Sequence, residues 1–129
     1  MNTTMRKIIV LLICFIYGFG QSQILEPVSW STSVNKISDT EVELIATATI
    51  DSGWHLYSQN VPEGGPIATT FSFEETEGTI LVGETIEDEG HTVNDAVFEM
   101  LITYFENKAE FKQKVQINKA VDVINASVE

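Results

Sequence analysis

The sequence predicts an all-β antiparallel sandwich, and three observations carry that prediction. Apolar and polar residues alternate with period two over two long stretches. Helical periodicity is missing beyond the first twenty or so residues, and turn-forming residues punctuate short apolar runs. About seven or eight uneven strands at this spacing, with one long acidic connection, favour a sandwich over a closed barrel.

Val28, Trp30, Thr32 and Val34 share one face, and Ser29, Ser31, Ser33 and Asn35 share the other. This is a half-buried strand with an aromatic anchor. Residues 36–40 form a polar turn around Ser38-Asp39. Val42, Leu44, Ala46, Ala48 and Ile50 then alternate with polar residues, and only Ile45 breaks the polar face. Asp51-Ser52-Gly53 marks a turn, and residues 54–57 read as a short strand. Residues 60–66 hold two prolines and two adjacent glycines, which excludes both a helix and a strand interior.

Strands are predicted at 69–73, with Phe71 and Phe73 on one face, and at 79–83, with an acidic turn at 74–78. Residues 84–95 carry Glu84, Glu87, Asp88, Glu89 and Asp95 and read as an exposed acidic loop. Residues 97–105 are apolar on both faces, as in a central strand. Glu106-Asn107-Lys108 turns the chain, and Phe111, Val115 and Ile117 then alternate with Lys112, Lys114 and Gln116. A last strand is predicted at 121–128, without a closing partner, which would leave an edge prone to aggregation.

The first residues have the pattern of a secretion signal: Arg6 and Lys7, then an apolar run from Ile8 to Tyr17, then Gly18-Phe19-Gly20. Small residues at 18 and 20 suit cleavage before Gln21, and a cut after Ser22 is an alternative. The predicted division is therefore a signal-peptide helix at 1–20 and one domain at 21–129. The apolar run is shorter than the roughly 20 residues of a membrane span, so no stable membrane insertion is expected once the signal is removed. Cys14 lies inside that run after Ile13, not after the small residue a lipid-attachment site requires. The exported chain is then expected to have no thiol, no disulfide and no cysteine redox chemistry of its own.

The whole chain has 7 basic and 19 acidic residues, for a net charge of −12. Loss of Arg6 and Lys7 takes it to −14, with five lysines and no arginine left. Such a charge excludes nucleic acid and anionic membrane surfaces as natural partners and leaves a soluble exported surface or a protein partner. No phosphate-binding glycine loop occurs. Asp88, Glu89 and His91 are close enough in sequence to invite a metal reading, but a loop of this kind has no fixed ligand geometry. Ser58 lies near His55 without the glycine elbow of a serine hydrolase. No catalytic, metal or cofactor residue is therefore assigned. Asn125-Ala126-Ser127 matches a glycosylation triplet, a pattern common by chance.

One pair of motifs is more specific. Gly53-Trp54-His55-Leu56-Tyr57-Ser58 is followed closely by Gly64-Gly65-Pro66-Ile67-Ala68-Thr69, and then by an aromatic strand. This pairing, with Val97-Phe98-Glu99 and residues 111–115 downstream, resembles the N-terminal periplasmic domain of the thiol:disulfide interchange protein DsbD. The resemblance implies an immunoglobulin-like sandwich in the periplasm. It also implies a role in disulfide reduction and cytochrome c maturation, passing electrons from a membrane redox partner to periplasmic thiol proteins. In that family a cysteine pair does the chemistry under a cap loop. Neither cysteine is present here, and the expectation is a form truncated before the pair and inactive as a reductase. The alternative is a non-catalytic periplasmic protein-binding module. Trp54, His55, Tyr57, Gly64, Gly65, Pro66 and Thr69 are the candidate docking residues, and Asp88, Glu89, Gly90 and His91 the candidate cap-like loop.

Overall fold

A computed structural model describes residues 24–118, 120–121 and 123–129. The predicted signal segment lies outside the described residues. Nine strands follow one another: β1 Val28–Lys36, β2 Glu41–Ile50, β3 Leu56–Tyr57, β4 Phe71–Phe73, β5 Thr79–Glu87, β6 His91–Asp95, β7 Met100–Phe105, β8 Lys108–Ile117 and β9 Ala126–Val128. All pairings are antiparallel. They form a four-stranded sheet in the order β1-β2-β8-β5, a three-stranded sheet β3-β7-β6, and a two-stranded sheet β4-β9. No helix among the described residues is long and apolar enough to cross a membrane.

The alternation in β1 and β2 does what it predicts. Trp30 stands opposite Ala48, and Val28 opposite Ile50, so one apolar face is continuous across the two strands. That face meets the smaller sheets through aromatic rings. Phe111 of β8 is 4.9 Å from Phe71 of β4 and 5.6 Å from Phe105 of β7, centroid to centroid. Trp30 meets Phe71 edge-on at 5.8 Å, a geometry that the ring quadrupoles favour. Ala48, Ile50, Phe105, Ala109 and Phe111 are buried together as the centre of the core. This is a two-layer antiparallel sandwich of immunoglobulin-like type. Away from Phe105, a half-open cavity of about 510 Å³ lies between the layers, lined by Val34, Leu44, Phe73, Ile117 and Val123, among others.

Several boundaries differ from the sequence expectation. Residues 84–95 are not an exposed loop: β5 continues to Glu87 and β6 begins at His91. Only residues 88–90 connect them, carrying the chain from the large sheet to the β3-β7-β6 sheet. Polar partners hold this acidic stretch in place. Gln113 is buried beside a bulge between Val82 and Ile86. Its Nε2 donates to the carbonyls of Val82, Gly83 and Lys114 at 3.3, 3.3 and 2.9 Å, and its Oε1 accepts from Thr85 Oγ1 at 2.9 Å. Gly83 permits the bulge by taking φ +69.

The strand predicted at 97–105 starts at Met100, because Asp95 Oδ1 accepts from the amides of Val97 and Phe98 and turns the chain there. β7 is nonetheless central, with β3 on one side and β6 on the other. The strands predicted at 54–57 and 69–73 shrink to Leu56–Tyr57 and Phe71–Phe73. The last strand is only Ala126–Val128, and it does have a partner: β9 pairs with β4. Thr70 and Glu129 extend that ladder with reciprocal bonds of 2.9 and 3.0 Å.

Candidate docking site

β7 organises the site. Its register with β3 sets Leu56 opposite Phe105 and Tyr57 opposite Tyr104. Its register with β6 sets His91 opposite Tyr104. Side chains of one face recur every second residue, so Tyr104 and Glu106 share the face away from the Phe105 core. His55, one residue before β3, reaches the same place. Its Nε2 lies 2.8 Å from Glu106 Oε1, and its ring stacks on Tyr104 at 4.1 Å and 23°. His91 approaches from the opposite side, with Nε2 4.0 Å from Glu106 Oε2 and its ring 5.8 Å from Tyr104. The two histidines of the chain, 36 residues apart in the sequence numbering, thus flank one carboxylate and one aromatic ring. All three charged or ionisable side chains stay open to solvent: His55 is 40% exposed, His91 66% and Glu106 44%.

The first motif is fastened to the second from below. Ser58 is buried and its amide donates to the Thr103 carbonyl of β7 at 3.0 Å. Thr69, also buried, donates from Oγ1 to the Tyr57 carbonyl at 2.6 Å. Glu87, at the end of β5, receives the next three residues: Ser58 Oγ, the Gln59 amide at 2.8 Å and Asn60 Nδ2 at 3.3 Å. The hydrolase pairing of Ser58 with His55 is therefore absent, since Ser58 goes to Glu87 and His55 to Glu106.

The two glycines have different tasks. Gly64 takes φ +87, the left-handed conformation that glycine tolerates. Gly65 has no such φ; it supplies space. A Cβ there would lie 2.7 Å from Val61 Cγ1 and 3.2 Å from Met100 Sδ. Its amide donates to the Pro62 carbonyl at 3.1 Å, closing the turn, and Pro66 follows half-buried. The second motif thereby reaches the opposite end of β7, at Met100. Trp54 sits after the Gly53 turn and is 45% exposed.

The candidate cap-like residues are fixed rather than loose. The Asp88 amide donates to the Glu110 carbonyl at 3.1 Å, and Asp88 Oδ2 accepts from the Glu110 amide at 2.8 Å. Gly90 packs against β7, where a Cβ would come within 2.8 Å of Thr103 Cγ2 and 2.9 Å of the Tyr104 carbonyl. Glu89 is exposed. Asp88, Glu89 and His91 do not converge, and no three His, Cys, Asp or Glu among the described residues are arranged to hold a metal ion. Nearby, the hydrogen bond from Lys108 holds the Glu110 carboxyl below the usual carboxylate range, and Glu110 raises the Lys108 ammonium.

Tyr104, Glu106 and Glu87 were not singled out by motif reasoning. The signal that could find Tyr104 and Glu106 is the period-two spacing from Met100 through Ile102, once β7 is known to run with its outer face uncovered beyond Ile102.

The site defines a class: an acidic, immunoglobulin-like sandwich that presents two histidines, a tyrosine and a glutamate together on one sheet face. The family model described as thiol:disulfide interchange protein DsbD, N-terminal, matches residues 21–129, and the chain belongs to that family. A search of curated proteins and a search of solved structures each found no match.

Proposed function

We propose that the chain is a periplasmic domain of a thiol:disulfide interchange system, one that docks a protein partner but does not itself exchange disulfides. The observation that carries this reading is the convergence of His55, His91, Tyr104 and Glu106 on the outer face of β7. Aromatic rings with polar tips are the side chains most often energetically dominant in protein interfaces. Trp54, next to His55 in the sequence, is itself 45% exposed. Family membership supports a thiol protein or a membrane redox partner as the class of partner. Disulfide exchange needs a thiolate to attack a sulfur. Cys14 is the one cysteine of this sequence, and it lies in the segment read as a cleaved signal.

The test is a thiol-exchange assay on the exported chain beside a version extended with a cysteine-pair segment, with titration of an oxidised periplasmic thiol protein in parallel. Activity in the extended form alone, together with binding weakened about tenfold by His55→Ala or Tyr104→Ala, supports the reading. Inactivity in both forms, with cooperative folding intact, replaces it with a binding module that serves no disulfide exchange.

A further inference from the structure

The edges of the sheets are unequal. β5 is interrupted by the bulge at Gly83 and carries Glu84 and Glu87. β6 has five residues and ends on Asp95, while β3, β4 and β9 have two or three. Such bulges, charges and short lengths are the devices that stop an edge strand from pairing with another chain. β1 has none of them. It runs nine residues, pairs only with β2 among the described residues, contains no proline, and has its sole charge at the terminal Lys36.

Which backbone groups β1 leaves open follows from its ladder. Asp51 donates to the Pro27 carbonyl at 2.8 Å, so Pro27 bonds toward β2. Antiparallel bonding alternates along a strand. The odd residues Ser29, Ser31, Ser33 and Asn35 therefore bond inward to β2. The even residues Val28, Trp30, Thr32, Val34 and Lys36 turn their N–H and C=O groups out to the open edge.

We infer that β1 pairs antiparallel with β1 of a second copy of this chain, about a twofold axis through Thr32, joining two four-stranded sheets into one of eight. The sequence of the strand is self-complementary in this register. Thr32 meets Thr32, Ser31 meets Ser33, and Trp30 meets Val34. Every outward amide from Val28 to Lys36 finds an outward carbonyl. At the centre of the pairing Trp30 opposes Val34 on the core side and Ser31 opposes Ser33 on the other, matches that cross-strand pairing favours, while at the ends Val28 meets Lys36 and Ser29 meets Asn35. Val34 is 65% exposed in the single chain, an unusual state for a valine on the core side of a sheet, and the partner's Trp30 covers it. A one-residue slip would set Trp30 against serine and is disfavoured. The interface is isologous and closes on itself. It buries less than the roughly 1,200 Å² of a standard stable interface, so the dimer is weak and concentration-dependent.

The experiment is sedimentation of the protein as recovered after export, from low to high micromolar concentration. The wild-type mass rises toward the dimer. Thr32 is exposed in the single chain, and on the axis it faces itself. Thr32→Lys and Thr32→Glu therefore each set like charges opposite one another and weaken association at least about tenfold. An equimolar mixture of the two variants dimerises again. A monomeric wild type at every concentration, single variants that dimerise as the wild type does, or a mixture that stays monomeric overturns the inference. Should the variants misfold by circular dichroism, amide exchange on the wild type decides. Protection of the Trp30, Thr32 and Val34 amides that grows with concentration supports the pairing, and protection that does not change refutes it.

Discussion

Thr69 donates its hydroxyl to the carbonyl of Tyr57 over 2.6 Å, and this bond ties the second sequence motif to the first. Thr69 is 4% exposed, so water cannot replace the bond if the hydroxyl is lost. Thr69→Val keeps the shape and removes the donor. It is expected to cost about 1–2 kcal/mol, while Thr69→Ser, which keeps the donor, costs less. Urea denaturation midpoints at constant m-value check the difference. Equal midpoints for the valine and serine variants would mean that the methyl group, not the bond, matters at this position.

Three glycines separate space from conformation. An alanine at Gly90 meets the Tyr104 carbonyl at 2.9 Å and the Phe105 ring at 3.0 Å, neither of which can yield without moving β7. At Gly65 it meets the Val61 and Met100 side chains, which can turn aside in part, and the Pro62 carbonyl at 3.1 Å, a looser backbone contact than the 2.9 Å to the Tyr104 carbonyl at Gly90. At Gly53 it meets nothing within 4 Å and suffers only from φ +83. The expected order of destabilisation is Gly90→Ala, then Gly65→Ala, then Gly53→Ala, with the last near 1 kcal/mol. The first two fall at about 1–3 kcal/mol or above. Thermal or urea midpoints give the ranking directly.

Glu87 joins the large sheet to the motif by accepting from Ser58, Gln59 and Asn60. Hydrogen bonds to a charged acceptor are stronger than neutral ones. Glu87→Ala leaves the buried Ser58 hydroxyl and the Gln59 amide without this acceptor, for an expected loss of about 2–3 kcal/mol. The loss is local as well as global. Amide exchange at residues 58–60 accelerates more than at Ala48 or Phe111, which belong to the core. Uniform acceleration throughout would count against a role for Glu87 in fastening this segment.

The same residue explains what was and was not legible. β1 and β2 were readable because water on one side and the Phe111 core on the other impose a period of two. The end of β5 was not, because its partners are polar. Glu87 faces donors from residues 58–60, and Thr85 faces the buried Gln113, so an acidic stretch that looks solvated is paired. Such pairing has no hydropathy signature. At 121–128 the error ran the other way. Val121, Val123 and Ile124 line the cavity between the layers without joining a ladder, so their apolar pattern marks packing and not a strand. Of the site, both histidines and the motif glycines stood out by type. Their meeting at Glu106 depends on the register of three strands, which no local pattern encodes.

Lys108 and Glu110 give a prediction with a definite sign. They face each other across one intervening residue of β8 at 2.7 Å. The hydrogen bond from Lys108 lowers the Glu110 pKa, and the bond to Glu110 raises that of Lys108. A carboxyl lowered by folding adds stability above its unfolded pKa and loses it as the pH falls through the folded value. An ammonium raised by folding adds stability below its unfolded pKa and loses it as the pH rises through the folded value. The pair therefore contributes a constant amount across neutral pH and withdraws it at both extremes. Both side chains reach solvent, 62% exposed for Lys108 and 28% for Glu110, so the contribution is small and weakens with salt. Lys108→Met is expected to move the Glu110 titration upward, toward that of an ordinary glutamate. It leaves the neutral-pH fold unchanged. Carboxyl carbon chemical shifts followed through an acid titration read this out. An unmoved Glu110 midpoint would show that Lys112, 3.7 Å from the other oxygen, is enough to hold the carboxylate alone.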